Sequence, residues 1–410
     1  HTRAVQNTAN LSNSVRTKYL EEYLAAAEEE RMYDQFSTPV GQAGVREKID
    51  GQSPVQVPYL SDLETVTAAI SQTADLTPVT LVDAVATITP TSRGNAIQWS
   101  EALDIRAYTN YGSARFKALG KNQMVSVDNL ALIAALQGSN VYRIVARASL
   151  DAGTSTHLLS RLGLMTIQAR LQGLRCPYFP LEQTGGQQSW MALAHVDAFY
   201  DLIRDTDILA VGQYQKGEIV LNYELGKVGA FKIVADARAK VFGAAGADHS
   251  SIVATTLAAA SARLDKTITV TTIANIGFGR YLTIGTEETG DTFYEANERC
   301  LAVSTTGAVV TIIGEGANGG LKYAHANGVA VRNADSVYPV AVGSSLSMAK
   351  LYANETGPYG EVVGPKVQGL ADQFQSLAWK FYGGYGRWRE NCIVRGEYSS
   401  SLDAYGGAAV

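Results

Sequence analysis

The sequence predicts an α+β chain with more than one core, on three observations. At 410 residues it exceeds the roughly 250–300 at which single cores stop growing. Helical spacing, as from Val15 to Ala27 and from Leu130 to Ala148, and apolar-alternating strand runs, as in Gly217–Phe242, both occur. Between Ala247 and Pro339 the composition shifts to Thr, Val, Ile and Gly with frequent turn signals, the pattern of a small all-β module.

Asn13 or Ser14 can cap a first helix, VRTKYLEEYLAAAEEERMYDQF, in which Val15, Tyr19, Tyr23 and Ala27 share a stripe. Its Glu21, Glu22, Glu28, Glu29 and Glu30 read as a solvated face rather than a cation site. From Thr38 to Asp83 the chain holds Pro39, Gly41, Gly44, Gly51, Pro54, Pro58 and Pro78, with little sustained periodicity. Val55, Val57, Tyr59, Leu60 and Leu63 make it too apolar for a linker, so an extended arm or hairpin packed on a neighbour is expected. Val85 to Trp99 reads as two strands meeting at Arg93-Gly94-Asn95.

Ser126 can cap the longest helix, VDNLALIAALQGSNVYRIVARASLDA, which has Leu130, Ile133, Val141 and Ile144 at helical spacing and Gly153 at its stop. At 1.5 Å per residue it would span about 40 Å. A helix follows at Leu164 to Leu174, then a strand at Ser189 to Ala194 leading into the helix HVDAFYDLIRD. The stretch Gly217 to Phe242 carries two apolar-alternating runs around Gly226 and Gly229, and Ser376 to Ser399 carries aromatic alternation around Gly383, Gly384 and Gly386. These two stretches read as halves of one domain, interrupted by the β module.

The net charge of −5 and the absence of any run of five basic residues argue against a nucleic-acid reader working through a basic patch. A charged fraction of 18% leaves much surface neutral or covered by partners. No apolar run reaches the length of a membrane span, and HTRAVQNTAN lacks a signal-peptide core, so a soluble chain is expected. Cys176, Cys300 and Cys392 lie too far apart for a metal knuckle and read as buried thiols of a reducing cytoplasm.

Chemistry finds no constellation. Gly314, Gly316 and Gly319 spell G-x-G-x-x-G after an apolar run, with Asp335 downstream, but a dinucleotide site needs a full helix next, and LKYAHANGVAV is broken at Gly328. His195, Asp197 and Asp201 stand at a strand-to-helix junction where sites often lie, yet Asp197 also suits a helix first turn, and no second histidine is at ligand spacing. Trp379, Phe381, Tyr382, Tyr385, Trp388 and Tyr398 interleave with Lys380, Arg387, Arg389 and Arg395, which suits either single-stranded nucleic acid or a hairpin with one buried face; the hairpin is the expectation. Catalytic, cofactor-binding and metal residues are therefore all expected to be none.

The order of parts, with TPTSRGNAIQWSEAL, HVDAFYDLIRDT, GKVGAFKIVADARAKVF and SLAWKFYGGYGRWRENCIVRGEYS, resembles the major capsid proteins of tailed bacteriophages, which have the Hong Kong 97-type fold. That family often shows a proline after the histidine of the second segment, where this chain has Val196. The resemblance implies an N-terminal arm at 1–37, an extended loop at 38–84, a peripheral domain with a spine helix at 85–153, and an axial domain at 154–246 and 340–410. The β module at 247–339 is then an insertion domain. The implied function is self-assembly into the icosahedral shell of a virion, built in the host bacterial cytoplasm around double-stranded DNA. Implied partners are further copies as hexamers and pentamers, portal, scaffolding and decoration proteins, and DNA held non-specifically, with no membrane. An encapsulin-like cellular shell and a nucleotide-dependent enzyme are the alternatives.

Overall fold

The computed structural model describes residues 33–34, 37–39, 54–60, 80, 83–100, 111–180, 188–205, 227–247, 255–273, 276, 279, 281–286, 288, 294, 296–352, 360–368 and 374–405. The expected N-terminal helix, most of the extended loop and the 217–226 part of its stretch lie outside them. Within the described residues nineteen strands and four α-helices, numbered in chain order, divide between two units.

The first unit takes residues 1–134 and 348–389. Its central strand is β18 (Phe374–Arg387), paired antiparallel with β4 (Thr91–Ser100) along one side. On the other side lie β17 (Glu361–Gln368) and then β16 (Met348–Tyr352), which β1 (Thr38–Pro39) extends in parallel. Alternation along β18 puts Leu377, Trp379 and Phe381 on one face, where they bury with Trp99 against Phe116, Leu119 and Val127 of helix α1 (Tyr111–Leu136). Each such side chain contributes about 1.5–3 kcal/mol by leaving water. A two-stranded ribbon, β2 (Val55–Leu60) with β3 (Asp83–Ile88), sets Val57, Ala86 and Ile88 on Ala349 and Leu351. The ribbon comes close because β18 lacks side chains there: a Cβ on Gly386 would stand 2.7 Å from Ile88 Cγ1.

The second unit takes residues 135–347 and 390–410. Its mixed sheet comprises β5 (Val141–Tyr142), β19 (Ile393–Tyr398), β15 (Tyr338–Gly343), β6 (Trp190–His195), β8 (Phe231–Asp236) and β7 (Lys227–Val228), adjacent in that order. Helices α2 (Arg161–Gly173) and α3 (Val196–Arg204) cover one face. Trp190, Ala192 and Ala194 of β6, with Phe231 of β8 and Val340 of β15, meet Leu164 and Ile167 of α2 and Phe199 and Leu202 of α3. A short helix α4 (Ser401–Tyr405) follows β19.

Inserted in this unit is a barrel of β9 (Thr255–Thr256), β10 (Thr267–Thr269), β11 (Tyr281–Ile284), β12 (Glu298–Thr306), β13 (Val309–Gly314) and β14 (Ala330–Arg332), in the order β10-β13-β12-β11-β14-β9. The two ends of that order meet. Leu257 bridges Val270, Ala258 N donates to Thr269 O at 2.8 Å, and Thr271 N to Thr256 O at 2.9 Å. Closure leaves no long open edge, and Ile268, Leu282, Cys300, Val310, Ile312 and Val331 fill the interior. The chain enters and leaves side by side, since Phe242 and Val337 exchange both backbone hydrogen bonds at 2.9 Å.

Four expectations change. The spine helix is Tyr111–Leu136, not 127–152: Ser126 Oγ donates to Asn122 O at 2.7 Å inside the helix instead of capping one, and Gly138 at φ 116° lies beyond the helix end. Arg93-Gly94-Asn95 runs inside β4, and the break between the two strands lies at Thr89-Pro90, where Pro90 has no N–H for a ladder. Residues 348–389, expected with an axial domain at 340–410, fall in the first unit, so Ser376–Ser399 divides: 390–399 shares the second unit and its mixed sheet with the described part of Gly217–Phe242, and 376–389 does not. The insertion ends before Tyr338, so Pro339 belongs to β15.

Candidate functional site

The residues that invited chemistry are occupied in structure. His195 Nδ1 accepts from Asp197 N at 3.1 Å and so caps α3. Burial pushes its imidazole below the ordinary value, against the raising effect of Asp197. Asp201, buried, accepts from Ser401 N at 3.0 Å and from the Ser401 hydroxyl, which ties α4 to α3. The G-x-G-x-x-G glycines line a tight reversal: a Cβ on Gly314 would stand 2.7 Å from Gly320 O, and one on Gly316 2.5 Å from the same oxygen. The last of them ends a 3-10 turn, Ala317–Gly319, and the next element is the strand β14, so no helix N-terminus awaits a phosphate. Trp379 and Phe381 are core side chains, and Trp379 Nε1 donates to Asn122 Oδ1 at 3.1 Å. The three cysteines are buried, and burial raises the Cys300 thiol well above its ordinary value. Among the described residues there is no group of three potential metal ligands, and no helix long and apolar enough to cross a membrane.

Two buried ionic clusters stand among the described residues. Arg299, on β12 of the barrel, donates to Asp197 Oδ2 at 2.8 Å and to the Tyr338 hydroxyl, stands 3.5 Å from Asp403 Oδ1, and lies 3.9 Å over the Tyr281 ring. One guanidinium thus joins the barrel to α3, β15 and α4. Burial raises the Tyr338 hydroxyl and the Asp403 carboxyl above their ordinary values, with Arg299 opposing both. The second cluster centres on Glu397, fully buried, which meets Arg147, Arg395 at 2.9 Å and Arg143 at 3.2 Å. The excess positive charge is spread over the carbonyl of Leu136, which Arg395 reaches, that of Glu288, 2.9 Å from Arg147, and the Phe242 ring under Arg147. Sequence spacing could not show either cluster, because partners such as Asp197 and Arg299 are distant in the chain.

Exposed apolar side chains remain. On α2, Leu162 is 73% exposed and Met165 45%, on the side opposite Leu164, Ile167 and Leu171; on α3, Val196 and Tyr200 also face outward. Apolar residues at i, i+3 or i, i+4 outside the buried stripe signal a helix with two apolar faces, which a sequence count of the core stripe overlooks. The ribbon β2–β3 adds an arm with one buried face and, at Val85, one exposed apolar residue.

No family model and no curated protein matches the chain. Among solved structures, the capsid of Ralstonia phage GP4 is similar at a TM-score of 0.51 with 9% identity, covering 86% of this chain and 85% of that one. The capsid of cyanophage P-SCSP1u matches at a TM-score of 0.49 with 12% identity over 90% and 88% of the two chains. The head of Helicobacter pylori bacteriophage KHP40 matches at 0.49 with 10% identity over 87% of each. The chain shares the α+β, Hong Kong 97-type fold of the first of these.

Proposed function

We propose that this chain, having that capsid fold, is the major capsid protein of a tailed bacteriophage, whose copies assemble into the icosahedral shell around a double-stranded DNA genome. The observation that carries the reading is the fold likeness to the Ralstonia phage capsid over 86% of the chain. The local geometry supports it. Polar clusters are spent on rigidity, while apolar side chains on α2 and α3 and the ribbon β2–β3 stand available for many wide contacts, as a shell subunit requires.

In this reading hexamers and pentamers form in the bacterial cytoplasm with portal, scaffolding and decoration proteins, and the extended loop packs on an adjacent subunit. The barrel lies on the outer face. DNA is confined by geometry, the subunit being acidic at −5, and the protein's work is association with no catalytic step. Negative-stain microscopy and sedimentation of the expressed chain, alone and with its scaffolding partner, test the proposal. Closed shells of uniform diameter are expected; a chain that stays monomeric under all these conditions refutes it.

A further inference from the structure

The barrel exterior carries side chains that neither its interior nor its attachment uses. The turn Ala262–Asp265 is closed by its own ends, Ala262 N donating to Asp265 Oδ2 at 2.7 Å and Asp265 N to Ala262 O at 3.3 Å. At its third position Leu264 stands at φ 74° and is 46% exposed. Left-handed backbone there favours glycine, so a branched apolar residue gains the fold nothing by strain and nothing by burial. The turn is fixed on the barrel: Leu264 N donates to Leu321 O at 2.8 Å and Ile312 N to Lys266 O at 2.9 Å. That places it beside Ile313, itself 54% exposed, while the register break on β12 leaves Val303 exposed next to the same strand. Exposed Arg263 and Lys266 flank the apolar centre on the turn side, and exposed Glu315 flanks it past the end of β13.

A patch bearing both signs around an apolar centre is its own complement under a two-fold rotation, whereas a partner of one sign would be repelled by half of it. We infer that this patch is a contact between two copies of the chain, barrel to barrel. Leu264 and Ile313 of each copy pack together, and Arg263 and Lys266 of each face Glu315 of the other. The inference rests on the shell reading for its setting. Three apolar side chains bury far less than the ~1,000 Å² of a stable interface, so the contact acts only beside the shell's other contacts and the isolated chain gains no dimer from it.

The test uses assembled particles. Particles of Leu264→Cys, treated with a short bis-maleimide cross-linker, should yield linked chain pairs on denaturing gels, and wild type, whose cysteines are buried, should not. Ile313→Asp and Glu315→Arg should each lower particle yield about tenfold at an unchanged unfolding midpoint. Adding Arg263→Glu and Lys266→Glu to Glu315→Arg should restore it, since the inverted patch is again self-complementary. Unlinked chains together with normal particles from Ile313→Asp overturn the contact. So does a separate protein whose binding Ile313→Asp abolishes while assembly is unchanged. A wild-type chain that forms no particles overturns the shell reading itself, and this contact with it.

Discussion

Replacing Arg299 by alanine should loosen the barrel from the sheet that carries it. The guanidinium serves Asp197, whose side chain is 18% exposed, and Asp403, at 5%. Without it two carboxylates face each other with only the Tyr338 hydroxyl between them. Breaking a buried pair costs about 3–5 kcal/mol. The lower end applies, because Asp197 is partly hydrated and sits at the positive end of α3. Arg299→Lys keeps the charge and loses the fork and the stacking on Tyr281, a change of about 1.5–3 kcal/mol. Hydrogen exchange locates the effect: amides of β11, β12 and α4 should exchange about a hundredfold faster in the alanine variant, with β18 unaffected. The penalty should depend on pH. A carboxyl whose folded pKa is raised, as burial raises that of Asp403 against the pull of Arg299, destabilises the folded protein when charged, and this cost disappears as pH falls through the folded value. Removing the opposing cation enlarges that cost, so the variant's deficit should be smaller in mildly acidic than in mildly alkaline buffer. A deficit below about 1 kcal/mol, equal at both pH values, would refute the reasoning.

Gly386→Ala should cost about 1–3 kcal/mol by pressing on Ile88, and Ile88→Ala in the same chain should cost less than the two single changes together; urea unfolding of the three variants measures this. The fragment 247–337, expressed alone, should give β-type circular dichroism and a cooperative melt, because the barrel closes on its own core; a random-coil spectrum counts against it. Leu162→Asp with Met165→Asp should shift stability by no more than about 0.5 kcal/mol, since both are exposed, yet reduce shell yield on sedimentation. Fluorescence anisotropy at near-physiological salt should find duplex affinity weaker than about 1 µM and falling with salt; tighter or sequence-selective binding would contradict a container.

Elements built from contiguous residues were legible in the sequence. Helix α2, the strand-to-helix step β6–α3 and the succession β10 to β13 appear where periodicity and turn residues put them, because spacing, caps and alternation act within a few residues. The shell-fold reading came from segment order and is matched by the architecture. The spine helix starts earlier than spacing predicts: Ser126 has a capping residue's chemistry, and only the packing of Phe116 and Leu119 on β18 sets the true start. Assignment of β18 to one unit and β19 to the other was invisible, for the partner of a strand is chosen by a face that alternation does not name. The same holds at the surfaces. Sequence excluded catalytic motifs by their absence, and the His195 cap on Asp197 N is a local bond, but whether Arg299 is a surface charge or a buried clamp depends on segments that meet across a hundred residues. That meeting is fixed by the barrel's closure and by the sheet beneath it, which are properties of tertiary packing and not of any local stretch.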